Sequence, residues 1–205
     1  MNFFGHAAVA TWSAADAGKV LGAMLPDFAA MCRSRLAGAD DTAVADGIAL
    51  HHATDAAFHR LPVVLGLMRE LDAQLADGGC SRGPRRAVAH VGVELLLDGV
   101  LVDEPSYRAA YLGGLAHDPA LRWRDPEGPP RFAVLLERLR SRGVPDDLRL
   151  PEAITMRVQR MLAHRPLLAP SPDDLRAIRG ALIAFQPRVP IAAGTIVRAL
   201  RAQLA

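Results

Sequence analysis

Residues 40–79, DDTAVADGIALHHATDAAFHRLPVVLGLMRELDAQLADGG, decide the fold. Asp40-Asp41 places carboxylates where a helix start needs acceptors for its free N–H groups, and predicts a helix from Thr42 to about Arg60. Pro62 suits the first turn of a second helix, which runs to about Asp77 and is stopped by Gly78-Gly79. The same grammar continues outward. A loop from Cys80 to Gly83 leads into a helix from near Pro84 to about Val102, and Pro105 opens another through Leu115. Ser171-Pro172-Asp173-Asp174 supplies an N-cap, a proline at N1 and an acid at N3. Helical periodicity covers 131–142, 151–164, 172–185 and 190–204, whereas 118–130, rich in Pro, Asp, Arg and Gly, reads as an exposed loop. No β-branched alternation bounded by turns occurs, so strands are not expected. The expectation is an all-α chain, one helical domain over residues 1–205, arranged as an antiparallel array with short connections.

Composition narrows the function classes. At 205 residues, with 51% hydrophobic and 22% charged residues, the chain can build a sizeable core. Aromatics are only 5%, while Ala and Leu abound, which favours helices packed through small side chains. A net charge of +2 does not argue for nucleic acid. No stretch approaches the roughly 20 apolar residues of a membrane span, and the start, Met1 to His6, lacks a signal peptide's basic and apolar regions. A cytoplasmic protein with no membrane partner is expected. Cys32 and Cys80 form no CxxC pair, and no Walker loop, G-x-G-x-x-G or G-x-S-x-G appears.

Chemistry concentrates in the histidines. Five of the seven lie in the first 90 residues. Taking His51 as zero on a helical wheel, Asp55 falls near 40°, His59 near 80° and His52 near 100°. His90, Glu94 and Asp98 repeat the idea at i, i+4, i+8 among Val91, Val93 and Leu95 to Leu97. Imidazole and carboxylate are the donors of divalent metal sites, and buried carboxylates are costly unless paired or bound to a cation. Asp27, after the apolar run Leu21 to Pro26, reads either as a cap or turn residue or as a ligand. His6 reads as a satisfied core histidine or as a ligand. His117 and His164 adjoin loop-forming residues and read as surface groups.

Taken in order, several short motifs resemble those of bacterial acyl carrier protein phosphodiesterase, a divergent helical relative of the HD-domain metal phosphohydrolases. They are Met1-Asn2-Phe3 with His6, Leu25-Pro26-Asp27-Phe28, and Gly47-Ile48-Ala49-Leu50-His51 followed by Asp55 and Leu61-Pro62. Arg85-Arg86 leading to Glu94 and Asp98, His164-Arg165-Pro166, and Phe185-Gln186-Pro187-Arg188 continue the series. The resemblance implies an HD-domain-like compact helical array and a divalent ion, with manganese favoured. It implies hydrolysis of the phosphodiester joining 4′-phosphopantetheine to holo acyl carrier protein. His6, Asp27, His51, Asp55, Glu94 and Asp98 are then the candidate metal ligands, with Asp55 and Glu94 also the candidates for activating water. Arg85 and Arg86 become candidate grips on the phosphate or the acidic partner, with His52 and His59 as added substrate contacts. The family's acidic helix reads Asp, three residues, Asp, His; here it reads Glu94, Asp98, Gly99. His90, one turn before Glu94, is a candidate substitute ligand or base. That departure keeps two further readings open: a non-catalytic binding protein on the same fold, and a metal phosphohydrolase acting on nucleotides or small phosphate esters. The hydrolase reading requires these side chains to share one pocket.

Overall fold

The computed structural model describes residues 1–13 and 16–204. It is 74% helical. The elements in chain order are α1 (Phe3–Ala10), α2 (Ala17–Met31), β1 (Leu36–Ala39), α3 (Thr42–Phe58), α4 (Pro62–Asp77), α5 (Arg82–Leu101), α6 (Pro105–Ala116), β2 (Leu121–Trp123), α7 (Gly128–Arg142), a 3-10 turn at Asp146–Arg149, α8 (Pro151–Leu162), α9 (Pro172–Phe185) and α10 (Arg188–Leu204). Among the described residues, no single helix is long and apolar enough to cross a membrane.

The predicted starts and stops rest on the expected physics. The Asp41 Oδ1 accepts from the backbone N–H groups of Ala43 and Val44, at 2.9 and 3.2 Å, and so starts α3. Asp40 instead pairs with Arg122. Pro62 occupies the first turn of α4, whose C-cap is Gly78. Ser171 and Asp174 complete a reciprocal capping box on α9. The Asp174 carboxylate also accepts from the Ser81 N–H at 2.7 Å, tying the start of α9 to the start of α5. These backbone and hydroxyl donors outweigh burial and hold the Asp174 carboxyl far below its ordinary value.

Three features depart from the sequence reading. The opening residues form a helix, and all eight residues of α1 are buried. Asp27 sits within α2 one residue after Pro26, rather than in a turn. A proline in a helix interior loses one hydrogen bond but does not always end the helix. Two short strands pair antiparallel, with Leu36 opposite Trp123 and Ala39 opposite Leu121, so part of the 118–130 segment is strand and its end is the first turn of α7. At three and four residues the strands are too short to show alternation.

By its internal packing the chain divides into two compact units. The first comprises Met1–Ala56 and Leu101–Pro145. Its core joins α1, α2 and α6, with Phe4, Leu21, Met24, Phe28 and Tyr111 fully buried. Phe3 lies 5.6 Å from Phe28 and Phe4 lies 5.3 Å from Tyr111, centroid to centroid. Helices α2 and α3 meet through two glycines. A Cβ on Gly22 would lie 2.2 Å from the Val44 carbonyl, and one on Gly47 would lie 2.2 Å from the Lys19 carbonyl.

The second unit comprises Ala57–Val100 and Asp146–Gln203. Here α4 and α8 pack against α9, around Leu71, Leu75, Ile178, Leu182 and Phe185. Gly99 lets α5 approach the 3-10 turn, since a Cβ there would stand 2.3 Å from the Leu148 carbonyl oxygen. The position at which the resembled family carries histidine therefore has no room for a side chain in this chain.

These glycines make a stability prediction. Gly22→Ala should lower unfolding stability by about 2 kcal/mol, because backbone must move to admit the methyl. Gly180→Ala, within α9 with open space around it, should raise stability by about 0.5–1 kcal/mol through helix propensity. Denaturant titrations check both; a Gly22→Ala chain as stable as the parent would contradict the close approach.

Candidate metal centre

The close crossing of α2 and α3, with α1 beside it, brings His6, Asp27 and His51 of the first unit together. His51 lies one helical turn after Gly47, and its Nδ1 is 2.9 Å from the carbonyl oxygen of Ala23, the residue after Gly22. One turn further along α2 from Ala23 stands Asp27. His6 is the one residue of α1 with a polar side chain, and its ring stacks on that of His51 with centroids 3.8 Å apart and planes at 28°. One ligand atom from each of His6, Asp27 and His51 lies within 4.8 Å of the others. His6 is 1% exposed and His51 is 7% exposed, so both rings are sheltered from bulk water, while Asp27 is partly exposed.

Each ring nitrogen has a readable role. Histidine Nε2 of residue 6 lies 3.0 Å from the Met1 carbonyl oxygen, which can only accept, so that nitrogen carries the proton. The same logic puts the proton of His51 on Nδ1, against Ala23. The lone pairs then fall on His6 Nδ1 and His51 Nε2. His6 Nδ1 is buried and has no hydrogen-bond partner. A backbone carbonyl that fixes the tautomer of an imidazole is the usual support behind a metal-bound histidine.

Electrostatics keep both rings neutral. Burial pushes the His6 pKa well below its ordinary value; the proximity of His51 and of the Met1 amino group adds to this, while Asp55 opposes it. Burial lowers His51 as well, with His52 contributing and the Ala23 hydrogen bond opposing. Two neutral imidazoles and a carboxylate suit manganese, iron or zinc.

The remaining candidates are distributed as follows. Asp55, one turn beyond His51 on α3, takes its Oδ1 to the Met1 amino nitrogen at 2.8 Å and is partly exposed. His52 points to solvent. In the second unit, Asp98 is fully buried on α5. Glu94 Oε1 lies 3.1 Å from His90 Nε2 and 3.4 Å from His59 Nε2. Thus His59 lies beside Glu94 and His90, in a grouping that a wheel drawn on α3 alone did not anticipate. It sits in the turn just past Phe58, so a wheel extended to it assumes a helix that has already ended. Arg85 Nε binds Asp72 at 3.0 Å, and Arg86 is exposed. His117 joins Asp41 at 3.2 Å rather than standing alone at the surface, and His164 is exposed. Burial raises both thiols, that of Cys80 to about 12 with the Asp174 charge assisting, so neither is set up as a nucleophile.

No family model, curated protein or solved structure matches the chain.

The lowered imidazole pKa values fix a sign. Below about pH 6.5 the unfolded chain binds protons that folded His6 and His51 refuse, so their contribution is full above that pH and is lost as pH falls towards the folded values. In chelator-treated protein, the denaturant midpoint should drop between about pH 7.5 and about pH 5.5, and His6→Asn should flatten that drop. Long-range 1H–15N spectra at neutral pH should place the protons on His6 Nε2 and His51 Nδ1. Equal pH slopes for parent and variant, or the opposite tautomers, would contradict the assignment.

Proposed function

We propose that this chain is a metal-dependent phosphodiester hydrolase in which His6 Nδ1, His51 Nε2 and a carboxylate oxygen of Asp27 hold one divalent ion. The observation that carries the reading is the buried His6 Nδ1, an acceptor without a hydrogen-bond partner beside a second imidazole whose tautomer is fixed the same way. The donor set fits the ion that the resemblance to acyl carrier protein phosphodiesterases implies, manganese. When bound, such an ion lowers the pKa of water and neutralises charge on phosphoryl oxygens.

The chain's own residues do the rest. The Ala23 and Met1 carbonyls orient the two rings before any ion arrives, which reduces the reorganisation that binding demands. The α1 helix excludes water from one side of the group through its apolar residues. Asp55, a turn from His51, supplies a carboxylate for accepting a proton, with the Met1 amino group holding one of its oxygens. The substrate carried over by resemblance is the 4′-phosphopantetheine phosphodiester of holo acyl carrier protein.

Gly99 favours a second reading, a binding protein on this scaffold, because the family's histidine has no space at that position. Mass spectrometry separates the two: hydrolysis removes phosphopantetheine from the carrier protein, whereas binding captures it intact.

The metal reading is tested with purified protein, manganese and bis-p-nitrophenyl phosphate. Wild type should bind manganese and turn over, and His51→Ala and Asp27→Ala should each lose activity at least about 100-fold together with metal affinity. A wild type without metal or turnover would reject the proposal.

A further inference from the structure

One strongly charged face of the first unit has no part in the centre described above. It starts on α2, where Met31 follows Asp27 by one helical turn and is 46% exposed. Beyond it, Arg33 and Arg35 lead into β1, both exposed. Leu36 pairs with Trp123, and one step outward the Arg124 N–H donates to the Arg35 carbonyl at 2.8 Å. Arg35 and Arg124 therefore stand opposite each other across the ribbon, where like charges are destabilising. Helix α7 adds Arg131 and Arg138, two turns and about 10.5 Å apart on one face, with Val134 between them 70% exposed. Burial raises the Cys32 thiol and the charges of Arg138 and Arg131 oppose it, so both arginines lie close to the segment that carries Arg33. The carboxylates of this region are engaged: Asp125 accepts the Arg35 backbone N–H at 2.9 Å, Glu127 lies 3.8 Å from Arg131, and Asp40 pairs with Arg122. Arg33, Arg35, Arg124 and Arg138 form no ion pair with a carboxylate among the described residues.

We infer, resting on the proposed function, that this face docks the acidic protein on which the hydrolysed phosphodiester is carried. Arginines without a carboxylate of their own chain take their anions from outside it, and a guanidinium holds a carboxylate through two parallel hydrogen bonds. Acidic side chains two turns apart on a partner's helix match the spacing of Arg131 and Arg138. Met31 and Val134 decide between a protein and a phosphate polymer. A nucleic-acid backbone is gripped through charge and offers an exposed apolar side chain nothing, whereas protein interfaces combine arginine with methionine and other apolar contacts. The like-charged pair of Arg35 and Arg124 is a cost that an acidic partner offsets. Asp27, a donor of the candidate centre, is one turn from Met31 and partly exposed. A protein seated on this face therefore brings its phosphodiester to the same end of α2 as the metal donors.

The test is binding of fluorescently labelled holo acyl carrier protein to the full chain, read by anisotropy, with circular dichroism confirming that each variant is folded. Arg131→Glu combined with Arg138→Glu should weaken binding at least about tenfold, and Arg124→Glu alone about threefold. Arg160→Glu, at an exposed position of α8, should leave binding unchanged. Raising sodium chloride from about 50 to about 500 mM should weaken the wild type more than the double variant. A wild type that binds no carrier protein, or binding that survives the changes at Arg124, Arg131 and Arg138, would overturn the docking face. So would a DNA duplex that binds in the carrier protein's place and is lost with the same arginines. Manganese-dependent turnover of bis-p-nitrophenyl phosphate by the wild type separates the two proposals. Arginine-dependent binding without turnover supports the docking face and counts against the hydrolase; turnover with arginine-independent binding does the reverse.

Discussion

Two glycines set the distance on which the candidate centre depends. Gly22 of α2 and Gly47 of α3 face backbone across the crossing, so the helices approach until a single methyl would collide with a carbonyl. Each functional side chain is then placed by helical spacing from that point. His51 follows Gly47 by one turn, and Asp27 follows Ala23, the acceptor of the His51 proton, by one turn. The buried helix α1 lays His6 over His51. Packing comes first here, and the chemistry of the group is its consequence.

A buried polar group must be satisfied or compensated. The first unit meets that demand for one nitrogen of each ring with a backbone carbonyl, from Met1 and from Ala23. This choice leaves acceptor lone pairs on the opposite nitrogens, and burial keeps the rings neutral so that those lone pairs persist. A surface histidine pair would be protonated more readily and its tautomers would exchange. In the second unit the solution differs: Glu94 receives two Nε2 atoms on one oxygen. Burial would push its carboxyl up, but the hydrogen bond from His90 leads the causes that hold it below the ordinary value.

Much of the helical framework was readable from local chemistry. Asp41, Pro62, Gly78, Pro105 and the Ser171–Asp174 box act within a few residues of themselves, so their effects survive in a one-dimensional reading. The N-terminal elements were not readable, because Pro26 resembles a stop while the helix continues through it, and α1 is apolar apart from His6 and shows no periodicity. The strands were too short to carry a pattern. Among site residues, His51 and Asp27 were legible as polar groups in apolar runs, yet their partner carbonyls were not, since Ala23 and Met1 contribute backbone that any residue type would supply. The pairing of His59 with His90 required knowing that α3 ends at Phe58 and where its following turn meets α5. The glycine spacing in Gly22 and Gly47 was the one available signal of the helix crossing, and its meaning depends on three-dimensional proximity.

The decisive question is whether an ion sits where the three donors of the first unit point. Crystals grown with manganese, measured at an X-ray energy where manganese scatters anomalously, locate it without reference to activity. The expected result is an anomalous peak within coordination distance of His6 Nδ1, His51 Nε2 and the Asp27 carboxylate. Well-ordered crystals with no peak there, or with the His6 and His51 rings turned so that their lone pairs diverge, would contradict it.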